Sequence, residues 1–118
     1  MTNMTFTKGI GTPKYMAPEI LNRKKYKKAA DVYSFAITMI ECFTWKDAYP
    51  KSIYPFAWNI ADLVANGKRS GNINEIENIK LKEVIEESWK QEPKERLSTN
   101  IIIDKLNEIY KQIRKINM

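Results

Sequence analysis

The chain has 118 residues and carries 20 Lys and Arg against 14 Asp and Glu, which gives a net charge of +6 at pH 7. Hydrophobic residues make up 43% of the chain and charged residues 29%, so the composition predicts a packed core and argues against full-length disorder. Because there is one Cys and no His, the sequence excludes an internal disulfide, a structural zinc site and catalysis by a histidine base.

The composition also limits the compartment and the partners. No apolar run is long enough to cross a membrane, and the first residues lack the apolar core of a secretion signal. The single cysteine fits a reducing compartment, so we expect a cytoplasmic protein without membrane insertion. Sixteen of the 20 basic residues are Lys, whereas nucleic-acid readout relies on Arg, so we expect no nucleic-acid partner. The densest basic run, 23–28, indicates a solvated loop, with a contact to phosphate or to an acidic partner as the alternative.

The first predicted elements are a loop and one strong helix. Residues 1–15 carry Gly and Pro among threonines, which predicts a loop, and residues 16–21 are predicted to form one helical turn. Residues 29–44 form the strongest predicted helix, because four polar residues share one narrow stripe at helical spacing. They are Asp31, Ser34, Thr38 and Glu41. Nearly all the other residues of this helix are apolar, which predicts burial over most of its circumference.

A loop and another helix are predicted in the middle of the chain. Residues 45–55 contain two prolines and predict a loop. Residues 56–66 have apolar pairs at helical spacing, and Gly67 suits a cap at the C-terminus of that helix. Residues 68–78 are polar and predict a second loop.

Two more helices are predicted towards the C-terminus. Apolar residues between Leu81 and Trp89 mark the first, which ends before Pro93. Ser98 is a good N-cap for the second, whose apolar residues follow one face. They are Ile102, Leu106, Ile109, Ile113 and Ile116. The predicted fold class is therefore all-α, with four or five helices and no clear strand.

Three motifs carry a resemblance to a known family. They are GTPKYMAPE at 11–19, ADVYSFA at 30–36 and SWKQEPKER at 88–96. The first resembles the end of the activation segment of protein kinases, the second the start of their helix F, and the third their segment between helices H and I. The order and spacing agree over nearly the whole chain. The motifs are most similar to those of the tyrosine-kinase-like group, whose members mostly phosphorylate Ser and Thr.

The resemblance implies a partial protein kinase domain over residues 1–118. It consists of helices EF, F, G, H and I of the C-terminal lobe, without the N-lobe and the catalytic loop. Phosphoryl transfer needs a Gly-rich loop, a phosphate-binding Lys, a catalytic Asp and magnesium ligands, which in kinases precede these motifs. The sequence has no Gly-x-Gly-x-x-Gly, His-Arg-Asp or Asp-Phe-Gly motif. We therefore assign no catalytic or metal-binding residue, expect ATP and magnesium only in a full-length kinase, and expect the chain alone to be inactive.

Several residues have structural roles by resemblance. Glu19 and Arg96 match a pair that forms a buried ion pair in the family. Asp31 matches a carboxylate that accepts backbone N–H bonds from the catalytic loop, and it also suits a helix N-terminus. Trp89 is expected in the core, whereas Arg69 is expected to be solvated. The structural motif comprises Ala17, Pro18, Glu19, Asp31, Trp89 and Arg96.

The resemblance also places a substrate site and modification sites. The loop that contacts the substrate residue after the phosphorylated one, the P+1 loop, is matched by Gly11, Thr12, Pro13 and Tyr15. Activation-loop phosphorylation in relatives falls where this chain has Thr2, Thr5 and Thr7. A phosphate there would add roughly −1.5 to −2 charges and favour pairing with basic groups.

Three functions compete at this point. The first is a fragment of a signalling Ser/Thr protein kinase that supplies the P+1 loop and the C-lobe core. The second is a non-catalytic interaction module that binds a kinase or a protein partner through helix G and the P+1 loop. The third, a small basic nucleic-acid binder, would show steep salt dependence. For the first two, we expect exposed apolar surface on helix F, where the rest of a kinase would pack.

Overall fold

The computed structural model of the chain describes residues 13–21 and 27–117. Five α-helices follow in order: α1 Pro18–Leu21, α2 Lys27–Thr44, α3 Ala57–Ala65, α4 Ile79–Ser88 and α5 Thr99–Asn117. Three 3₁₀ turns accompany them at Pro13–Tyr15, Gly71–Glu75 and Pro93–Glu95. These residues contain no strand, so the predicted all-α class is confirmed for them.

Helix α2 is the centre of the fold. It packs against α4 and against all three 3₁₀ turns, whereas α5 packs mainly on α4. One side of α2 is completely buried, with Tyr33, Ala36, Ile37 and Ile40 at 0% exposure. Val64 of α3 and Ile85 of α4 are buried with them in one continuous core. This central position explains why apolar residues fill the buried side of α2.

One side of α2 is not covered by any described element, and we call it the open face (Phe35, Cys42 and Phe43). Phe35 is 42% exposed and Phe43 is 59% exposed. A groove of about 730 Å³ lies between this face and α5, which contributes Ile109 and Ile113 to the opposite wall. The prediction of burial over most of the circumference of α2 is therefore wrong for this face. The expectation of exposed apolar surface on the same helix agrees with the structure.

Local hydrogen bonds fix the helix ends close to the predicted positions. At the C-terminus of α3, Gly67 has φ +83° and its N–H donates to Val64 O at 3.0 Å. Lys68 N donates to Leu63 O at 3.0 Å, which completes a Schellman motif around the glycine. At the start of α5, Ser98 Oγ accepts from Ile101 N at 3.4 Å. The caps expected from Gly67 and Ser98 are thus both present.

The structure also corrects two predicted loops and one helix boundary. The predicted helical turn at 16–21 is α1, which begins only at Pro18 because a proline disfavours helical geometry in the preceding residue. The end of the loop predicted for residues 1–15 forms the 3₁₀ turn Pro13–Tyr15. Within the predicted loop at 68–78, Ser70 Oγ accepts from Asn72 N at 3.2 Å and starts the 3₁₀ turn Gly71–Glu75. The same hydroxyl donates to Ala48 O at 2.8 Å, so this segment is tied to the chain after α2.

Candidate functional site

An ion pair between Glu19 and Arg96 joins α1 to the segment before α5. Arg96 Nη1 and Nη2 donate to the two carboxylate oxygens of Glu19, each at 2.7 Å, across 77 residues of sequence. The side chains are 4% and 1% exposed. Two parallel charge-assisted bonds of this kind fix the orientation of both groups as well as their separation.

The remaining donors of Arg96 are also used. Nη1 donates to Ala29 O at 2.9 Å, Nε to Lys90 O at 2.8 Å and Nη2 to Gln91 O at 3.4 Å. A guanidinium has five N–H donors, so each one has an acceptor here. Because every donor is satisfied, the charge can be buried without an unpaired polar atom. Arg96 thereby connects α1, the first turn of α2 and the chain after α4.

Two guanidinium groups lie over the ring of Tyr33 in the core. Arg69 Cζ is 5.0 Å and Arg96 Cζ is 5.3 Å from the ring centre. Arg69 also donates from Nε to Trp89 O at 2.9 Å and from Nη2 to Gln91 Oε1 at 2.8 Å. Burial lowers the pKa of Arg69. The expectation that Arg69 is solvated is therefore wrong, because the chain after α4, at Trp89 and Gln91, folds back over its side chain.

The hydroxyl groups of Tyr33 and Tyr49 are unusual members of this core. Both oxygens are buried, and neither has a hydrogen-bond partner within the described part of the chain. Burial raises the pKa of each phenol above its ordinary value. Both tyrosines therefore stay neutral in the folded chain at physiological pH and act as packing groups.

The 3₁₀ turn Pro13–Tyr15, hereafter the 13–15 turn, is held by side chains of α2. Ser34 Oγ donates to Tyr15 O at 2.6 Å, and Tyr15 Oη donates to Glu41 Oε1 at 2.5 Å. Lys14 Nζ lies 3.1 Å from Glu41 Oε2 and 3.3 Å from Asp47 Oδ1. The turn also packs against α3, so it forms a small surface between α2 and α3.

The pKa values of Tyr15, Lys14 and Asp47 are shifted by the hydrogen bonds and ion pairs among these residues and Glu41. The hydrogen bond to Glu41 raises the pKa of the Tyr15 phenol. Burial alone would lower the pKa of Lys14, but its bonds to Glu41 and Asp47 outweigh that effect and raise it. Burial would raise the pKa of Asp47, but the bonds from Tyr49 N and Lys14 lower it. Lys14 and Asp47 are therefore both charged at neutral pH and are held together.

The structure places some predicted site residues together and leaves others outside. Of the P+1 loop, Pro13 and Tyr15 lie in the 13–15 turn. Gly11, Thr12 and the candidate phosphosites Thr2, Thr5 and Thr7 lie outside the described residues. Ala17 and Pro18 are buried next to Glu19, and Trp89 is 7% exposed in the core.

Asp31 differs from its expected position at the start of a helix. Helix α2 begins at Lys27, so Asp31 is its fifth residue and is exposed. Helix-dipole effects fade beyond the first turn, which weakens the stabilisation expected there.

The α3 helix carries an exposed aromatic pair at its N-terminus. The rings of Phe56 and Trp58 stack at 5.8 Å between centres with an interplanar angle of 6°. The two residues are 59% and 52% exposed. Helix α3 also packs against α1 and the 13–15 turn, so the aromatic pair lies on a helix that contacts both of these elements.

Sequence reasoning missed two residues of this site. Glu41 was visible only as one member of the polar stripe of α2, and Arg69 only as one charge in a polar loop. For Glu41 the stripe was a usable signal, because a carboxylate on a largely apolar central helix needs a partner.

None of the helices in the described part of the chain combines the length and hydropathy needed to cross a bilayer.

Comparison with known proteins gives one family and several relatives. The family "Protein tyrosine and serine/threonine kinase" matches residues 2–106. Dual specificity protein kinase shkE of Dictyostelium discoideum is 33% identical over 101 residues, which cover 84% of the chain and 14% of the relative. Serine/threonine-protein kinase WNK3 of Mus musculus is 37% identical over 101 residues, covering 86% and 5%. Serine/threonine-protein kinase STY17 of Arabidopsis thaliana is 33% identical over 107 residues, covering 91% and 18%. The chain therefore spans less than a fifth of the length of each of these relatives.

Proposed function

Because the chain belongs to the protein tyrosine and serine/threonine kinase family, we propose that it is the substrate-loop and C-lobe portion of a Ser/Thr protein kinase. Its all-helical described residues correspond to the C-terminal lobe of the kinase fold. In this proposal a longer protein transfers phosphate from ATP to protein hydroxyls, and residues 11–15 supply the P+1 loop. We assign that kinase to the tyrosine-kinase-like group and to cytoplasmic signalling, on the basis of the motifs and the single cysteine.

The anchoring of the 13–15 turn is the observation that carries the proposal. A substrate loop must keep its shape while peptides bind and dissociate, since a misplacement of the substrate by about 1 Å markedly lowers the rate of the catalysed reaction. Here Ser34 and Glu41 hold the turn on α2, and the Glu19–Arg96 pair fixes the helix that follows it. The two buried charged residues of the described chain thus hold the helix that follows the proposed peptide-binding loop.

The described residues do not provide the carboxylate cluster that magnesium needs. Phosphoryl transfer requires carboxylate and amide ligands for the metal and a phosphate-covering loop. No three His, Cys, Asp or Glu side chains come together as a metal site within the described part of the chain. The sequence also lacks the three nucleotide-site motifs. We therefore propose that nucleotide chemistry belongs to other segments of a kinase and that the 118-residue chain is inactive alone.

A chimeric kinase tests the proposed role directly. Residues 2–106 of this chain, which include the whole proposed P+1 loop, would replace the matching segment of shkE, and peptide phosphorylation would be measured with radiolabelled ATP. We expect the chimera to phosphorylate Ser/Thr peptides, and the same chimera with Arg96→Ala to lose activity together with folding. A folded chimera that binds ATP but transfers no phosphate would contradict the proposal. Phosphate transfer by the isolated chain would contradict its inactivity.

The exposed aromatic pair of α3 favours a second candidate function, a non-catalytic interaction module. Stacked, half-exposed aromatic side chains are typical of binding surfaces, because they bury large area at low entropic loss. Binding of the fluorescently labelled chain to the shkE kinase domain would be titrated with wild type, Trp58→Ser and Ile79→Ser. The module predicts at least about tenfold weaker binding for Trp58→Ser. Ile79 is 73% exposed on α4 and serves as the matched control.

A further inference from the structure

Trp45, the residue directly after α2, has a strained backbone and an exposed side chain. We propose that the 118-residue chain forms a two-fold symmetric dimer in which Trp45 of each copy inserts into the groove beside the open face of the other copy. This dimer does not depend on the proposed function, because it uses only surfaces of the described residues. In a longer kinase other segments would compete for the open face, so we assign the dimer to the 118-residue chain alone.

The backbone of Trp45 adopts a conformation that suits glycine. Its φ is +56°, and Trp45 is the only non-glycine residue with a positive φ in the described part of the chain. A bulky side chain in this left-handed region costs free energy that glycine avoids. The N–H of Trp45 donates to Glu41 O at 3.0 Å and so closes the last turn of α2. The end of the central helix therefore carries an indole ring at a strained position.

Contacts of the next residues hold Trp45 in this conformation. Lys46 Nζ lies 3.0 Å from Glu75 Oε1, and Asn72 Nδ2 donates to Asp47 O at 3.1 Å. These bonds tie the segment after α2 to the 3₁₀ turn that follows α3. Because the backbone is fixed on both sides of Trp45, the ring meets a partner with less conformational entropy to lose than a ring on a mobile loop.

The Trp45 side chain gains almost nothing from the rest of the described chain. It is 92% exposed, the highest value among the large hydrophobic residues of these segments. Burial within these residues therefore does not offset the strain of the backbone. Tryptophan is among the residues most enriched at the energetic centres of protein interfaces, because one ring buries a large apolar area. Contact with a partner supplies the burial that the single chain does not.

The groove beside the open face is a complementary surface for this ring. Its volume of about 730 Å³ lies within the range of sites that enclose small organic ligands, so an indole ring fits inside it. Apolar side chains of α2 and α5 make up most of its walls, among them Phe43 and Ile113. Glu77 also lines the groove, so Lys46 meets a carboxylate when it enters beside Trp45.

A second copy is the partner that these two surfaces fit. Trp45 is two residues from Phe43, so the ring and the groove lie next to each other on the same chain. In a two-fold pairing each copy gives one ring and receives one, because the same patch of both copies forms the contact. The exchange uses both surfaces of both copies, and assembly therefore stops at the dimer.

The exposed apolar area matches the smallest stable interfaces. A fully buried aromatic side chain removes about 150–250 Å² from water. Scaled by their exposed fractions, five side chains at the ring and the groove offer roughly 600 Å² per copy and about 1,200 Å² for two copies. They are Trp45, Phe43, Phe35, Tyr110 and Ile113. Specific interfaces begin near about 1,200 Å² in total, so we expect a dissociation constant in the micromolar range.

Sedimentation of the 118-residue chain between about 1 and 100 μM tests the dimer. The wild type is expected to pass from 13.8 kDa to twice that mass and no further. Trp45→Gly is expected to raise the dissociation constant at least about tenfold. This variant should fold as well as the wild type, because glycine adopts φ +56° without strain. Trp58→Ser is the matched control, since Trp58 is 52% exposed on α3 outside the groove, and it should leave the dissociation constant unchanged.

A mixture of two variants tests the exchange of rings. Ile113→Asp places a charge in the groove and keeps Trp45, whereas Trp45→Gly keeps the groove and lacks the ring. Each variant alone is expected to associate more weakly than the wild type. An equimolar mixture should associate more tightly than either variant alone, because one ring and one intact groove still meet in the mixed dimer. If either variant fails to fold, Trp45→Asn and Tyr110→Ser take their places.

Four outcomes would overturn the proposal. The first is a wild-type mass that stays at 13.8 kDa up to about 100 μM. The second is a mass that rises beyond the dimer, which would show open-ended association of apolar surface. The third is equal weakening by Trp45→Gly and Trp58→Ser, which would mean that Trp45 has no special role. The fourth is a mixture that associates no more tightly than its components, which would mean that the ring does not occupy the groove.

Discussion

The two sides of α2 differ in how completely the rest of the described chain covers them. On one side, which we call the bonded face (Tyr33, Ser34 and Glu41), each residue contacts a segment distant in sequence. On the open face, Phe35 and Phe43 are about half exposed beside a groove of about 730 Å³. The same helix therefore holds Ser34 and Glu41 by contacts with distant segments, whereas two of its large apolar side chains stay about half exposed.

This difference shows which face of α2 finds its contacts within the described residues and which face does not. Buried charges at Glu19 and Arg96 are tolerated only with complete hydrogen bonding, and they have it. Exposed apolar side chains cost little in the folded state, but a large patch of them favours association. The bonded face thus supports a site in this chain, whereas the open face suits contact with further protein. Four predictions test the comparison.

The largest effect is expected on the bonded face, at the ion pair. Arg96→Ala leaves Glu19 buried without a partner and should lower the free energy of unfolding by about 3–5 kcal/mol. Urea denaturation followed by circular dichroism would measure it. Replacing both partners, as Glu19→Met with Arg96→Leu, should recover much of the loss, because no unpaired charge remains. A loss below about 1 kcal/mol in Arg96→Ala would mean that water reaches Glu19.

A smaller effect is expected where α2 holds the backbone of the turn. Ser34→Ala removes the 2.6 Å bond to Tyr15 O and should lower the free energy of unfolding by about 1 kcal/mol. Thr38→Ala is the matched control, since its hydroxyl donates only to Ser34 O within the same helix. Equal effects of the two variants would show that the bond between segments contributes nothing.

A pH-dependent contribution is expected from Asp47. Its pKa is lowered in the folded chain, so its contribution is present above the unfolded value, about 3.9, and is lost as the pH falls through the folded value. Asp47→Asn should therefore melt lower than wild type at pH 6, and the two should converge on acidification. The difference should be small, because the side chain is partly exposed. A gap that widens in acid would contradict this sign.

The smallest change in stability is expected on the open face. Phe43→Ser replaces a side chain that is 59% exposed and should alter the free energy of unfolding by no more than about 0.5 kcal/mol. Self-association measured by sedimentation should decrease, because the apolar patch is reduced. A destabilisation of about 3 kcal/mol would instead show that Phe43 is buried in solution, and the contrast between the two faces would fail.

Local patterns predicted most of the helices but not their contacts. The spacing of apolar residues located α2 and α5, and Gly67 and Ser98 marked two helix ends correctly. These features depend on neighbours within a few residues, which a sequence displays directly. The family, suggested by three motifs, is confirmed by the match over residues 2–106.

Contacts between distant segments were beyond such patterns. Nothing in the sequence near Arg69 indicates that Trp89 and Gln91 return over it, so the residue resembled an ordinary surface charge. Glu41 was visible in a polar stripe, but its partners are 26 and 27 residues away at the turn. Exposed apolar surface on this helix was expected from the resemblance, but its location at Phe35 and Phe43 was not, because it depends on which elements approach α2.

The position of Cys42 gives the open face a chemical reporter. It is the single cysteine of the chain, it is exposed, and it lines the groove between α2 and α5. A thiol reagent or a nitroxide label attached there would sense the groove alone, without competing sites to remove by mutation. The rate at which the Cys42 thiol reacts would be measured in the 118-residue chain and in a longer protein. The ratio of the two rates would show how much of the open face is shielded in the longer protein.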